Sequence, residues 1–375
     1  MIYDGHAYCF PSLYGLGGFN DLETFKKHQQ IAISQHFQPV WSDMDREMIK
    51  DVSKINPADK WDIKSAKNID FTPAHRGRYE WIYEGVKYVK QYMPPSVTNM
   101  KYLPEDLISE MDYAGIDMAL LHRTPYLGLG NKYIYDCVER FPNRLQGLAH
   151  IPEWDIVEKL DQSIDNLVYA ISKLNMKGLQ FLPDHMTLYG KEENWDSPVF
   201  EPFWDVLSDL NVPLFFTPGY NSLQGTTDLV ENLSNELIRI GKWMKKYPSI
   251  KVVWTHGLAW RLFVKGNEMQ IPELIYKSMP TENSNFYLQL LFPVLLGNIW
   301  DYPMKEILPT LKELNNRVGA DRLIWGTDMP MVMRFFTYKQ CLDQVKIYGR
   351  EVLSENHISM ICGGTMYELM GLNNE

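Results

Sequence analysis

Eight short apolar runs, mostly separated by segments with helical periodicity, are the feature that most constrains the fold of this chain. They cover residues 2–10, 118–122, 145–151, 178–181, 213–217, 251–255, 285–291 and 323–326. Strands that alternate with helices favour a parallel sheet with right-handed crossovers. Eight such units predict an α/β fold, a closed (β/α)8 TIM barrel.

Residues 20–100 interrupt the first strand–helix unit with a polar and aromatic segment. Within it, residues 25–37 and 81–92 have a helical pattern, and a Pro-Pro pair follows the second of them. Long interruptions of compact folds are typical of functional loops. We expect a single domain over residues 1–375, with an inserted segment at 20–100 that forms a lid over the barrel mouth or a subunit contact.

The composition argues against several classes of protein. The formal net charge is −10, whereas nucleic-acid binding needs clustered Lys and Arg. The chain contains no apolar run of the ~18 residues that a membrane span needs, and its N-terminus shows no signal peptide. Its four cysteines are scattered without a C-x-x-C pair, which is typical of a reducing compartment. We therefore expect a cytoplasmic protein that binds neither nucleic acid nor membrane.

Two histidines and an aspartate stand at the ends of three predicted strands: His6, His256 within KVVWTHGLAW, and Asp328 after LIWGT. In a parallel barrel the functional groups lie where strands end, and His and Asp are ligands for Zn, Mn or Fe. Each residue alone also fits an ordinary role, as a buried histidine, a cap or a turn residue. The prediction of a site therefore depends on three strand ends meeting at one mouth. Alternation along the first strand would turn Asp4 and Tyr8 the same way as His6.

Four further residues fall near the predicted mouth. His122, His150 and His185 end or follow the second, third and fourth strands, and Arg123 adjoins the first of these histidines. An ordinary explanation for each histidine is a hydrogen-bonding role in a loop. As a set they could instead bind a substrate carboxylate or form a relocated ligand cluster, and Arg123 could hold an anion bidentately.

The order of these elements resembles the amidohydrolase superfamily, and more narrowly the branch of aminocarboxymuconate-semialdehyde decarboxylase. The segment DGHAY followed by Pro11 is similar to the opening D-x-H-x-H motif of that family. Further similar segments are MKGLQF at 176–181, FTPG at 216–219, THG at 255–257 and, most specifically, WGTDMP at 325–330.

The resemblance implies a role for each matching residue. His6 would be a metal ligand, Asp328 a ligand or proton carrier, and His256 a ligand for a second metal or an acid or base. Tyr8 and Thr217 stand where the family has histidines. Asp4 could also ligate, because a carboxylate replaces one first-strand histidine in some of these decarboxylases. The remaining ligands suffice for one divalent ion, with zinc expected and Mn or Fe as alternatives.

Three functions stay open at this point. The first is a metal-dependent enzyme that decarboxylates or hydrolyses a small carboxylate. The second is a partner subunit with a reduced metal site, in a two-subunit monooxygenase similar to 2-aminoisobutyrate hydroxylase. The third is a binding protein without metal. Eleven tryptophans favour either an aromatic pocket or a large interface, in a homo-oligomer or a hetero-oligomer with a homologous subunit.

Overall fold

The computed structural model describes residues 1–34, 36–43, 47–48, 63–219 and 228–372. Its strands are β1 (Tyr3–Ala7), β2 (Val40–Ser42), β3 (Thr72–Ala74), β4 (Arg78–Tyr83), β5 (Val86–Gln91), β6 (Met118–Leu121), β7 (Leu145–Gly147), β8 (Ala149–His150), β9 (Leu179–Phe181), β10 (Leu214–Phe216), β11 (Val252–Trp254), β12 (Val264–Lys265), β13 (Glu268–Met269), β14 (Phe286–Leu290) and β15 (Leu323–Trp325).

A ring of parallel strands confirms the predicted barrel. One sheet has the order β1-β6-β7 and the other has the order β15-β14-β11-β10-β9-β8. Strands β7 and β8 are consecutive parts of one run, so each sheet continues into the other at this point. The ring is completed between its first and last strands, where Ala7 forms a parallel bridge with Met329. All eight predicted strand runs therefore lie in the barrel wall.

The barrel interior is filled with side chains at its N-terminal end. One apolar residue from each of six strand runs contributes to this buried cluster: Tyr3, Leu120, Leu148, Phe215, Val253 and Ile324. Strands buried on both faces need nearly continuous apolar sequence, which explains why the eight runs are visible in the chain. Because this cluster closes the lower end, the polar strand-end residues have space only at the upper, C-terminal end.

The helices pack around the outside of the ring. They are α1 (Leu22–Ser34), α2 (Pro104–Ala114), α3 (Asn131–Arg140), α4 (Leu160–Ser172), α5 (Asp184–Leu188), α6 (Glu201–Leu210), α7 (Leu229–Lys246), α8 (Glu273–Ser278), α9 (Phe292–Leu296), α10 (Leu308–Val318), α11 (Tyr338–Lys346), α12 (Glu355–Ser359) and α13 (Thr365–Leu369). Among the described residues, none of these helices has the length and apolarity that crossing a membrane requires.

The inserted segment contains a small antiparallel sheet in addition to the expected helix. Helix α1 agrees with the helical pattern at 25–37, although residue 35 and most of 44–62 lie outside the described residues. The prediction of a helix at 81–92 was wrong, because these residues form the β4–β5 hairpin. Glu84 and Gly85 both have positive φ (49° and 78°) at its tip, as a two-residue hairpin turn requires. The sheet has the order β2-β5-β4-β3.

Strand β1 contains an irregularity that separates Asp4 from His6. Asp4 pairs with Ala119 and Ala7 pairs with Leu121, so three steps on β1 match two on β6. The extra residue breaks the alternation of side chains. Asp4 therefore does not share a face with His6, and the expectation from simple alternation has to be revised.

The carboxylate of Asp4 ties the first strand to the end of the last one. Its Oδ2 accepts hydrogen bonds from the hydroxyls of Thr327 (2.5 Å) and Tyr338 (2.6 Å). Its Oδ1 accepts from the backbone N–H groups of His6 (3.0 Å) and Thr327 (3.1 Å). Burial raises the pKa of Asp4 to about 7, and the hydrogen bonds act in the opposite direction. Four donors on a fully buried carboxyl make this contact a strong constraint on the closure of the ring.

We predict that Tyr338→Phe lowers the free energy of unfolding by about 1–3 kcal/mol, since it removes one donor from a buried carboxyl. The loss should be larger at pH 8 than at pH 5, because Asp4 is ionised only above its pKa and an ionised acceptor makes the stronger hydrogen bond. Urea unfolding at pH 5 and at pH 8 measures this loss in the free energy of unfolding. Tyr113→Phe is the matched control, because Tyr113 is 79% exposed. Equal stability of the two variants would contradict the assigned role of Asp4.

Candidate active site

His6 is held in one tautomer by its neighbours. The side-chain nitrogen of Gln289 donates to the carbonyl of Gly5 (2.8 Å), so its Oε1 is the atom that faces His6 Nδ1 at 2.9 Å. An oxygen that can only accept requires a proton on Nδ1. Burial lowers the pKa of His6, as do the nearby His122 and His256. His6 is therefore neutral, and its unprotonated Nε2 can either accept a hydrogen bond from the Tyr8 hydroxyl (2.8 Å) or bind a metal.

His122 supports the ring of His6 from below. The two imidazoles stack with centroids 3.5 Å apart and planes inclined by 13°. His122 Nε2 lies 3.0 Å from the carbonyl oxygen of Gly5 and donates to it. Since His122 is fully buried and stacks on His6, we infer that it supports that ring, and the substrate contact expected from the sequence stays a prediction.

His256 and Asp328 approach His6 from two other strand ends. Asp328 Oδ1 lies 3.6 Å from His6 Nε2 and 3.5 Å from His256 Nε2. Both residues have positive φ, 59° for His256 and 66° for Asp328. Non-glycine residues rarely adopt this conformation, and where they do, it is often at a functional site. The structure thus brings together the three residues that the sequence singled out.

The spacing of these three groups suits a metal ion. Ligand atoms about 2.1 Å from a tetrahedral ion lie roughly 3.4 Å from one another, close to the two observed separations. Nε2 of His6, Nε2 of His256 and one oxygen of Asp328 form a set of two imidazoles and a carboxylate. This donor set accepts Zn, Mn or Fe.

Tyr8 and Thr217 occupy the positions where the sequence departs from its family. The Tyr8 hydroxyl lies 2.8 Å from His6 Nε2, and burial raises the pKa of Tyr8 well above its usual range. Tyr8 therefore stays protonated and donates a hydrogen bond where the family has a ligand. Thr217 Oγ1 accepts a hydrogen bond from Thr255 (2.8 Å). Neither side chain provides a strong metal ligand.

A cavity of about 270 Å³ lies beside this group at the barrel mouth. His256 and Asp328 form part of its wall, and Phe37 and Tyr92 of the inserted segment contribute another part. These residues place part of the inserted segment beside the mouth, and a lid or a subunit contact stays a prediction.

Arg334 is the main residue of this cavity that the sequence reasoning missed. Its Nη1 donates to the carbonyl of Tyr92 (2.9 Å), while its buried Nε has no hydrogen-bond partner among the described residues. Burial lowers the pKa of Arg334, but a guanidinium stays charged. The sequence signal that could have identified Arg334 was its position six residues after Asp328, in the loop that follows the last strand.

Two residues predicted from the sequence lie elsewhere. Asp4 has both oxygens occupied by Thr327, Tyr338 and backbone donors, so it does not belong to the ligand group. Arg123 donates to the carbonyl of Leu129 (3.1 Å) and lies over the ring of Tyr133. It is absent from the cavity wall. Its buried side chain is held by the segment after β6 and by α3, which the sequence could not show.

His150 and His185 form a separate group with Glu153. The sequence reasoning had singled out the two histidines but missed Glu153. Each histidine has a ring nitrogen 3.3 Å from Glu153 Oε2. His185 also borders the cavity, whereas His150 does not. The i, i+3 spacing of His150 and Glu153 at a strand end was the signal for this pair.

The family model described as Amidohydrolase matches residues 36–372 of this chain. The chain belongs to the amidohydrolase family. It is thus an enzyme of the amidohydrolase superfamily, as the sequence motifs indicated, and the matched segment includes His256 and Asp328. The family match also agrees with the barrel and with ligands at its strand ends.

Individual relatives point to the same branch. The chain is 22% identical over 257 residues to a 2-amino-3-carboxymuconate-6-semialdehyde decarboxylase of Dictyostelium discoideum. That match spans 65% of this chain and 66% of the relative, just under two thirds of its length.

Two solved structures share the fold. A probable 2-pyrone-4,6-dicarboxylic acid hydrolase from Acinetobacter baumannii has a TM-score of 0.53 and 16% identity, over 73% of this chain and 91% of that one. A dihydroxybenzoic acid decarboxylase from Polaromonas has a TM-score of 0.52 and 18% identity, over 74% and 88%. The second contains bound manganese.

We predict that His6→Ala and Asp328→Ala each lower the metal content by about one ion per chain. Each variant leaves two ligands, and a catalytic site needs three protein ligands. Elemental analysis after loading with zinc measures the change, and His75→Ala, at an exposed position, is the control. Full retention of metal by either variant would contradict the ligand assignment.

We predict that Gln289→Leu weakens metal binding by about ten- to a hundredfold, the usual cost of losing a partner that orients a ligand. Leucine keeps the size of the side chain and removes the acceptor that holds the Nδ1 proton of His6. Competition with a chromophoric zinc chelator gives the dissociation constant. Gln270→Leu at an exposed position is the matched control and should leave it unchanged.

Proposed function

We propose that this protein is a metal-dependent decarboxylase of a small, planar carboxylate. The observation that carries the proposal is one cavity lined by two kinds of group. His256 and Asp328 of the ligand group form part of its wall, and the guanidinium of Arg334 contributes a positive charge to it. Such a cavity can hold a carboxylate while a second group of the same molecule reaches the metal.

The size and lining of the cavity favour a small unsaturated or aromatic molecule. Its volume is about 270 Å³, at the lower end of the range for ligand sites. The aromatic side chains of Tyr8, Phe37, Tyr92 and Tyr126 lie in its wall. Flat aromatic faces pack well against planar ligands.

Arg334 is the proposed anchor for the substrate carboxylate. Its Nε lacks a hydrogen-bond partner among the described residues, and no carboxylate there forms an ion pair with it. A buried guanidinium with free donors is costly unless an anion binds. A carboxylate would accept two parallel hydrogen bonds from it. In this proposal Arg334 takes the role that the sequence had suggested for Arg123.

The residues of the site then divide the chemistry. A divalent ion held by His6, His256 and Asp328 would act as a Lewis acid toward a substrate oxygen. Zinc is our choice, and the ligand set also suits Mn or Fe. When the bond to the carboxylate carbon breaks, carbon dioxide leaves and the electron pair stays on the ring or chain carbon. That carbon would then take up a proton from water, relayed by the oxygen of Asp328 that does not hold the ion.

The relatives support the same reaction class. Two of those reported above are named as decarboxylases of small carboxylates, and a third as a probable hydrolase of a dicarboxylic acid. They give no support to a subunit of a two-component monooxygenase. Hydrolysis remains the competing outcome of the experiment below.

The test is an activity screen of the zinc-loaded protein. The panel contains dihydroxybenzoates, 2-amino-3-carboxymuconate 6-semialdehyde and 2-pyrone-4,6-dicarboxylate, with the methyl ester of each as a control lacking the free carboxylate. We expect release of carbon dioxide from at least one acid and none from its ester. Ring opening of the pyrone without carbon dioxide release would replace decarboxylation with hydrolysis.

We predict that Arg334→Gln lowers kcat/KM for the best acid by about ten- to a hundredfold, since a hydrogen bond to a charged group contributes about 1.5–3 kcal/mol. Most of the loss should appear in KM, because the anchor contacts the carboxylate before the reaction begins. Arg350→Gln is the control, at an arginine whose side chain is 53% exposed. An unchanged KM in Arg334→Gln would remove Arg334 from the proposal.

A further inference from the structure

We propose that His150, Glu153 and His185 form a second divalent-metal site, separate from the one at His6, His256 and Asp328. The expected ion is of the zinc type, because two imidazoles and one carboxylate suit borderline first-row ions and not magnesium, which prefers oxygen ligands. This inference does not depend on the proposed decarboxylation.

The three side chains converge on one point. Nε2 of His150 and Nδ1 of His185 each lie 3.3 Å from the same oxygen, Oε2 of Glu153. His150 comes from β8, Glu153 from the turn after it, and His185 from α5. Together they form one of two groups among the described residues whose potential ligand atoms all lie within 4.8 Å of one another.

The separations fit a shared ion better than direct hydrogen bonds. A hydrogen bond between an imidazole N–H and a carboxylate is usually 2.7–2.9 Å long. Both contacts here are longer, and both point at one oxygen. Ligand atoms around a common zinc ion lie roughly 3.4 Å apart, which agrees with the observed value.

The carboxylate of this group is buried. Glu153 is only 1% exposed, and its only ion-pair partners among the described residues are His150 and His185. Buried carboxylates in proteins are usually paired or coordinate a metal.

The residues around this group orient its carboxylate and add another buried imidazole. The other oxygen of Glu153 accepts a hydrogen bond from the backbone of Leu182 (2.8 Å), which orients the carboxylate as metal sites require. His28 packs edge-on against His185 with centroids 5.4 Å apart. Its Nε2 is buried without a hydrogen-bond partner among the described residues, and such a nitrogen is costly unless a ligand binds it.

The position of the group gives the site an outlet. His185 borders the same cavity as His256 and Arg334, whereas His150 and Glu153 lie behind it. An ion at this group would therefore lie at the edge of the substrate cavity, where a water or a substrate oxygen could complete its coordination.

The first experiment counts zinc in a protein whose first site has been removed. In the His6→Ala/Asp328→Ala background we expect about one zinc per chain after loading and dialysis. Adding His185→Ala or Glu153→Gln should reduce it to near zero, whereas adding His75→Ala should not. Circular dichroism checks that each variant is folded, and His185→Ala is the safer one because it keeps the contact between Glu153 and Leu182.

The second experiment needs no substitution. Crystals of the wild-type protein loaded with zinc should show two anomalous peaks above the zinc edge, one at each group. A single peak at His6, His256 and Asp328 would show that His150, Glu153 and His185 are only a hydrogen-bonded trio. The proposal would also be overturned if zinc were retained after His185→Ala is added to the His6→Ala/Asp328→Ala variant. Failure of the decarboxylation screen affects neither readout.

Discussion

The hydrogen-bonded closure between the first and last strands is the constraint on which the site depends. The backbone N–H of Asp328 donates to the carbonyl of His6 (2.8 Å), and Tyr8 donates to Met329 (2.8 Å). These two bonds join residues more than 300 positions apart in the chain and place the side chains of His6 and Asp328 side by side. The buried carboxyl of Asp4 reinforces the same closure through Thr327 and Tyr338. Without it, the ligand group would have no fixed geometry.

The chemistry of the site follows from how little water reaches it. His6 and His122 are fully buried, so burial keeps His6 neutral, and Gln289 decides which nitrogen carries the proton. His256 and Asp328 are more exposed, with side chains 26% and 12% accessible. The group thus combines one side chain that is shielded from water, His6, with two that face the cavity, His256 and Asp328. This arrangement suits an ion that must hold its place and still contact substrate.

At Tyr8 and Thr217 the sequence departs from the pattern of its family. A protonated tyrosine and a threonine leave one carboxylate and two imidazoles, which in our proposal hold a single ion. Arg334, in the loop after the last strand, is the proposed source of positive charge for an anionic substrate. The second group, at Glu153, reaches the same cavity through His185. Both proposals therefore concern the C-terminal end of the barrel, where loops supply chemistry to a rigid wall.

Much of this could be predicted from local patterns. Continuous apolar runs indicated the eight strands, because strands buried on both faces are mostly apolar. The positions of His6, His256 and Asp328 at strand ends indicated one site. Local patterns failed where one composition is compatible with two kinds of secondary structure. The aromatic segment 81–92 could form a helix or a hairpin, and the turn at Glu84-Gly85 makes it a hairpin.

The sequence by itself determined the fold class, the family and the three residues that meet at the mouth, because these depend on the order of elements and on residue type. Only the tertiary structure decided that Asp4 supports the ring closure, that Arg334 and not Arg123 lines the cavity, and that Glu153 joins two histidines. The physical reason is that side-chain direction depends on an irregular pairing in β1 and on the course of the loops. One extra residue in a strand turns the side chains that follow it to the opposite face of the sheet. Neither this irregular pairing nor the course of a loop leaves a periodic signal in the sequence.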